Sequence, residues 1–237
     1  MSSSPAARVD ALPWPDIEAS LAQHGCATTG PLLSPAECAA LANMYDQDAP
    51  FRSRVVMQRH GFGQGEYKYL AYPLPPTLAQ WRDALYARLA PLANAWAAAL
   101  GQAPDFPARH ADYLARCHAA GQTRPTPLLL RYQPGDYNCL HQDLYGELQF
   151  PLQLTVLLSQ PGEDFTGGEF VLTEQRPRMQ SRAEVVPLAQ GEAVIFFVKQ
   201  RPVNGTRGTY RVTMRHGVSQ VRSGRRMTLG LIFHDAA

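Results

Sequence analysis

The chain has 237 residues, 45% of them hydrophobic and 18% charged, with a formal net charge of +2; this reads as one globular, soluble chain with a substantial core. No run of 18 apolar residues occurs, which excludes a membrane-spanning helix, and the start Met1-Ser2-Ser3-Ser4-Pro5 lacks the apolar core of a signal peptide. Cys26, Cys38, Cys117 and Cys139 are scattered with no Cys-x-x-Cys pair, so a reduced, cytoplasmic chain with buried thiols is expected.

Residues 1–15 are expected to form a disordered tail and 16–237 a single domain, helical over 16–125 and β over 126–237. Asp16 to Gln23 reads as a short amphipathic helix. Ser34-Pro35-Ala36-Glu37 is a capping box with proline at the first helical position, which predicts a helix to about Asp46. Arg52 to Pro76 holds His60, Gly61, Gly63, Gly65, Tyr67, Tyr69 and Tyr72. It reads as a glycine-hinged loop leading into a strand. Such a segment can cover an active site, or serve as an ordinary surface connection with an edge strand. From Thr77, Leu78, Trp81, Leu85, Leu89, Leu92 and Trp96 recur at helical spacing. Pro91 is expected to kink or split that helix. Pro107 to Ala120 reads as another helix, with His110 and His118 as surface or packing histidines.

From Thr126 the hydrophobic period changes to two. Strands are predicted at Leu128–Tyr132, Tyr137–Asp143, Leu152–Leu158, Glu169–Leu172, Glu184–Pro187, Ala193–Val198, Tyr210–His216 and Met227–Phe233, separated by turn signals such as Pro161-Gly162 and Gln190-Gly191. Short strands at regular spacing without intervening helices imply a β-sandwich or jelly roll, and the helices that precede them an α+β protein with those helices packed outside the sheet.

The chemistry concentrates at His141-Gln142-Asp143. In a strand, residues i and i+2 share a face, so an imidazole and a carboxylate enter one cavity. They are two members of the 2-His-1-carboxylate set that holds non-haem Fe(II). His216, 75 residues later at a predicted strand end, supplies the second histidine; its rival is His234, after which no arginine follows. Arg226, ten residues beyond His216, starts the last strand and points toward the same cavity, with Arg225 as the fallback. A guanidinium there suits the far carboxylate of 2-oxoglutarate, bound bidentately. From Arg176 to Arg226 ten arginines and one lysine stand against two acids. That is a surface for an anionic partner or a reflection of an arginine-rich composition.

Arg131-Tyr132-x-Pro-Gly-x5-His141-Gln142-Asp143 resembles the metal strand of AlkB-type nucleic-acid demethylases, departing from it at Leu130, where that family has asparagine. Phe165-Thr166-Gly167-Gly168-Glu169-Phe170, and the run from His216 through Ser223-Gly224 to Arg226, resemble the prolyl 4-hydroxylase type. Both belong to the Fe(II)/2-oxoglutarate dioxygenase superfamily. The resemblance covers roughly 127–235. It implies a double-stranded β-helix (jelly roll) core, Fe(II) and dioxygen, 2-oxoglutarate as co-substrate, Tyr132 touching 2-oxoglutarate, and release of succinate and CO2 on hydroxylation or oxidative demethylation. The substrate stays open among a small molecule, a modified nucleic-acid base and a protein side chain; no membrane or obligate protein partner is evident. Two other functions stand beside it: a catalytically silent jelly-roll sensor of 2-oxoglutarate or metal, and a cupin-like metalloenzyme that does not use 2-oxoglutarate.

Overall fold

The computed structural model describes residues 4–206 and 208–237. Its elements in order are α1 (Pro5–Asp10), α2 (Trp14–His24), β1 (Cys26–Pro31), α3 (Pro35–Met44), β2 (Phe51–Val56), β3 (Gly63–Gln64), β4 (Glu66–Leu70), α4 (Pro76–Ala99) and α5 (His110–Ala119). Strands follow: β5 (Leu128–Tyr132), β6 (Tyr137–His141), β7 (Leu152–Leu157), β8 (Phe165–Gly167), β9 (Phe170–Gln175) and β10 (Arg182–Val186). The last are β11 (Glu192–Phe197), β12 (Gln200–Gly205), β13 (Gly208–Val218), β14 (Val221–Gly224) and β15 (Arg226–Ile232). The major sheet runs β1-β11-β7-β15-β5-β4-β2 and the minor sheet β10-β9-β13-β6-β3, with β12 on β13. Eight of these strands make a jelly roll, because the chain crosses between sheets at nearly every connection: β5, β7, β11 and β15 lie in one, β6, β9, β10 and β13 in the other.

Side-chain alternation explains why the central strands read as almost continuously apolar. Ala193, Ile195 and Phe197 of β11 join the large core under the helices, while Val194 and Phe196 join a second core. The second core also holds Leu157, Phe165, Phe170 and Leu172, so it lies between the sheets. In β15, Met227, Leu229 and Leu231 face the helices, whose inner faces bring Ile17, Leu21, Trp81, Leu85 and Leu89. Arg226, Thr228, Gly230 and Ile232 face the other way. All seven residues of β15 are therefore buried. No helix among the described residues is long and apolar enough to cross a membrane.

Several expectations are corrected. Residues 1–3 lie outside the described residues, but most of the rest of the expected tail is helical, in α1 and the start of α2. Ser4 caps α1, Val9 is fully buried, and Trp14 Nε1 donates to the Val9 carbonyl at 2.8 Å. Six residues are too few to display a helical period, and long-range contacts hold them. Pro91 does not split α4, since it sits on an exposed position while its neighbours Ala90 and Ala93 are buried. Arg52–Pro76 is less a loop than expected: β4 and β2 extend the major sheet and β3 pairs with β6. Gly63 permits that pairing, for at φ +125° a Cβ would lie 2.4 Å from the Tyr137 carbonyl oxygen. β1, β8, β12 and β14 carried no clear alternation. Cys139 is exposed, unlike the other three thiols. His110 is the packing histidine expected, buried between Asp83 and the Phe233 carbonyl, and His118 meets Asp235.

The capping box forms as predicted, with Ser34 and Glu37 bonded reciprocally. Glu37 also pairs with Arg8, fastening α1 to α3. Hydrogen bonds from Arg8 hold the Glu37 carboxyl down at about 2 against burial, helped by Ser34. Its folded value lies below the unfolded one, so its contribution is present above the unfolded value and lost as pH falls toward 2. Urea midpoints measured from pH 6 down to 2 should therefore fall less steeply for Glu37→Gln than for the wild type, the two converging in acid.

Candidate active site

One face of three adjacent major-sheet strands makes the floor of a cavity of about 230 Å³: Gln153 and Thr155 of β7, Arg226, Thr228, Gly230 and Ile232 of β15, and Leu128, Leu130 and Tyr132 of β5. The opposite wall comes from Asn138, His141, Phe170, His216 and Val218 of the minor sheet. Phe62 and Tyr67, from the segment before α4, line it too.

His141 and His216 are direct partners across β6 and β13, with ring centroids 4.2 Å apart. Antiparallel register brings together residues 75 apart in sequence. Strand β6 ends at His141, so Asp143 lies just beyond the strand expected to carry it. It still turns inward: its Oδ1 is 3.4 Å from His141 Nε2 and its Oδ2 3.3 Å from His216 Nε2. Ligand atoms of the three residues all lie within 4.8 Å of one another. His141 Nδ1 donates to the Cys139 carbonyl at 2.7 Å, which leaves Nε2 facing the cluster. Tyr145 donates to Asp143 Oδ1 at 2.7 Å. Burial pushes the Asp143 carboxyl up, but the two imidazoles outweigh it and hold Asp143 well below the usual carboxylate range. Burial also opposes protonation of His141, which Asp143 more than offsets, while burial and its partner ring lower His216. Two imidazoles about one ionised carboxylate suit a divalent metal of the Fe(II) type.

Arg226 lies 2% exposed, opposite Tyr132 across β15 and β5. Its Nε and Nη1, and the Tyr132 hydroxyl, are buried without a hydrogen-bond partner. Burial pushes the guanidinium down to about 10, with Tyr132 and Glu169 acting the other way, so it is charged at neutral pH. An unpaired buried cation is costly, and a carboxylate end fits it. Gly168, at φ +66°, clears the way: a Cβ there would meet Arg226 Cδ and Val221 Cγ2, each at 2.8 Å. The Gly-Gly turn thus has a packing role at the site.

The fallback Arg225 is exposed, and the rival His234 stands outside the cluster, fully buried, its Nδ1 accepting from the Phe150 N–H. The arginine-rich stretch is not one surface. Arg226 enters the cavity, Arg201 is buried against Glu174, and Arg176 also pairs with Glu174; Arg207 lies outside the described residues. Sequence reading missed Gln153, whose only signal is a polar residue interrupting the apolar run of β7. It also missed Phe62.

A family model described as an oxygenase catalysing oxidative methylation of damaged DNA matches residues 65–236. An uncharacterized protein of Mycobacterium tuberculosis, seen in two strains, is 52% identical over 165 residues, covering 70% of this chain and 71% of its own. Among solved structures, a prolyl-4-hydroxylase of Pseudomonas putida superposes with a TM-score of 0.54 at 14% identity, over 94% of this chain and 99% of that one. An oxidoreductase of the 2OG-Fe(II) oxygenase family from Burkholderia pseudomallei gives 0.52 at 17% identity, over 94% and 92%. At such identities the likeness is one of fold.

Proposed function

The chain belongs to the oxygenase family whose model spans residues 65–236, and from that premise we propose that it is an Fe(II)- and 2-oxoglutarate-dependent dioxygenase acting on an alkylated nucleic-acid base. His141, Asp143 and His216 would hold the metal. Arg226 would take the far carboxylate of 2-oxoglutarate, with the Tyr132 hydroxyl beside it. The observation that carries this reading is a buried guanidinium with unpartnered Nε and Nη1 atoms, beside an unpartnered hydroxyl, on the same cavity as the three candidate ligands. When bound, the metal and 2-oxoglutarate supply the power to turn a C–H bond into C–OH with dioxygen, yielding succinate and CO2. On an N-methyl group the resulting alcohol sheds formaldehyde, so the alkyl group is removed.

The chain's own residues then have distinct tasks. Tyr145 orients Asp143 through its hydroxyl, and the Cys139 carbonyl orients His141. Leu128, Leu130, Phe170 and Ile232 keep the cavity apolar. Phe62, 48% exposed at the cavity and stacked on His60 with centroids 5.3 Å apart, offers an aromatic face to a base. The segment 52–72 would thus form part of the substrate mouth.

The test is 2-oxoglutarate turnover by the Fe(II)-loaded protein with short single-stranded oligonucleotides, methylated and unmethylated. Succinate and formaldehyde in equal amounts, stimulated by the methylated strand alone, are expected. Stimulation by peptides instead would reassign the substrate to a protein side chain. Bound 2-oxoglutarate that never turns over would indicate a sensor, and no 2-oxoglutarate binding a cupin-like enzyme.

A further inference from the structure

We propose that Gln153 sets the specificity of the substrate end of the cavity, where its amide hydrogen-bonds the carbonyl-bearing edge of a planar heterocycle, namely a nucleobase. This rests on the reading just given. Gln153 is 3% exposed, lines the cavity floor, and its Nε2 is buried without a partner. It stands directly opposite Ile232 on β15. Arg226 lies six residues back on the same face, roughly 20 Å at about 3.3 Å per residue. The two unpartnered donors therefore mark opposite ends of one strip. With 2-oxoglutarate drawn to Arg226, the Gln153 end is left for substrate.

The surroundings define what fits there. Leu128 and Ile232 are buried together with Tyr69, and Tyr67 and Tyr145 pack on that cluster. Tyr67 meets Tyr69 edge-on at 5.3 Å, and Tyr145 meets it edge-on at 6.2 Å. These are flat apolar walls with one amide at the base. An orphaned amide in such a place costs stability unless something bonds it. The spare donor of Gln153 calls for an acceptor on the ligand. The amide N–H donates, which matches a ring C=O on the edge of a base, present whether or not the neighbouring ring nitrogen is methylated. The aromatic walls favour a ring over a peptide segment.

The experiment uses the Mn(II)-loaded protein without oxygen, with and without 2-oxoglutarate, and a short single-stranded oligonucleotide carrying one 3-methylthymine. Gln153→Leu should bind this probe at least roughly tenfold more weakly, a change of about 1.4 kcal/mol. Its affinity for 2-oxoglutarate should be unchanged, and its melting temperature equal to or above wild type, because an unsatisfied buried amide has been removed. Gln153→Met, close in size and without any N–H donor, should also weaken the probe. A Gln153→Leu protein of lower stability with unchanged probe affinity would make Gln153 structural and overturn the proposal. So would wild-type protein that ignores the oligonucleotide, or Gln153-dependent binding of a peptide. Wild-type protein that fails to bind 2-oxoglutarate would remove the reading of the Arg226 end alone, since the effect of Gln153 on the probe is read independently.

Discussion

Replacing Asp143 with alanine is expected to abolish stoichiometric Fe(II) binding, and turnover with it, while the chain stays folded. Asp143 carries the only carboxylate in the three-residue cluster and is held ionised by both imidazoles. Losing an outer partner of a metal ligand typically costs roughly 10–100-fold in metal affinity, and losing a charged ligand should cost more. The fold should survive because Asp143 lies past the end of β6 and contributes no ladder bond to the sheet. Titration of Mn(II) or Co(II), beside circular dichroism of the same samples, measures both. His141→Ala and His216→Ala should behave alike. Full metal binding by Asp143→Ala and His141→Ala would remove the centre from this cluster. Loss of metal on His234→Ala, with none on His216→Ala, would place the second histidine at the other position.

Arg226→Ala is expected to raise the dissociation constant for 2-oxoglutarate by at least roughly thirtyfold. Removing one partner of a buried charged contact costs about 2–5 kcal/mol, and each 1.4 kcal/mol is about tenfold. Metal affinity should stay close to wild type, because Arg226 faces Tyr132 and Phe165 and belongs to no ligand group. The ligand-free variant should be no less stable than wild type on electrostatic grounds, since the lost guanidinium has unpartnered Nε and Nη1 atoms. Tyr132→Phe should show a smaller effect of the same sign, about 1 kcal/mol for one hydrogen bond. The measurement is an oxygen-free titration of 2-oxoglutarate into Mn(II)-loaded protein. Wild-type affinity in Arg226→Ala with none in Arg225→Ala would shift the role one residue, against the exposure of Arg225.

By itself the sequence determined the elements whose signals are local. The capping box of α3, the apolar stripe of α4 and the short apolar runs of β5, β7, β11 and β15 are set by residues within a few positions of one another. That His141, Asp143, His216 and Arg226 approach one cavity was legible for a related reason, since a histidine at a strand end and an arginine at a strand start restrict where a side chain can point; Asp143, however, reaches the cavity from just past β6 and not from the strand expected to carry it. Tertiary structure alone decided the rest. Register across β6 and β13 put His141 against His216, and register across β7 and β15 put Gln153 against Ile232. No spacing along the chain encodes such pairings, because antiparallel partners meet through the sheet. It also anchored α1, whose start is local, with Ser4 as cap and proline at the first helical position, but whose six residues are held by the ion pair from Arg8 to Glu37 and by burial of Val9. And it separated ten similar arginines, sending Arg226 into the cavity and Arg201 onto buried Glu174, a difference of face and depth that composition does not carry.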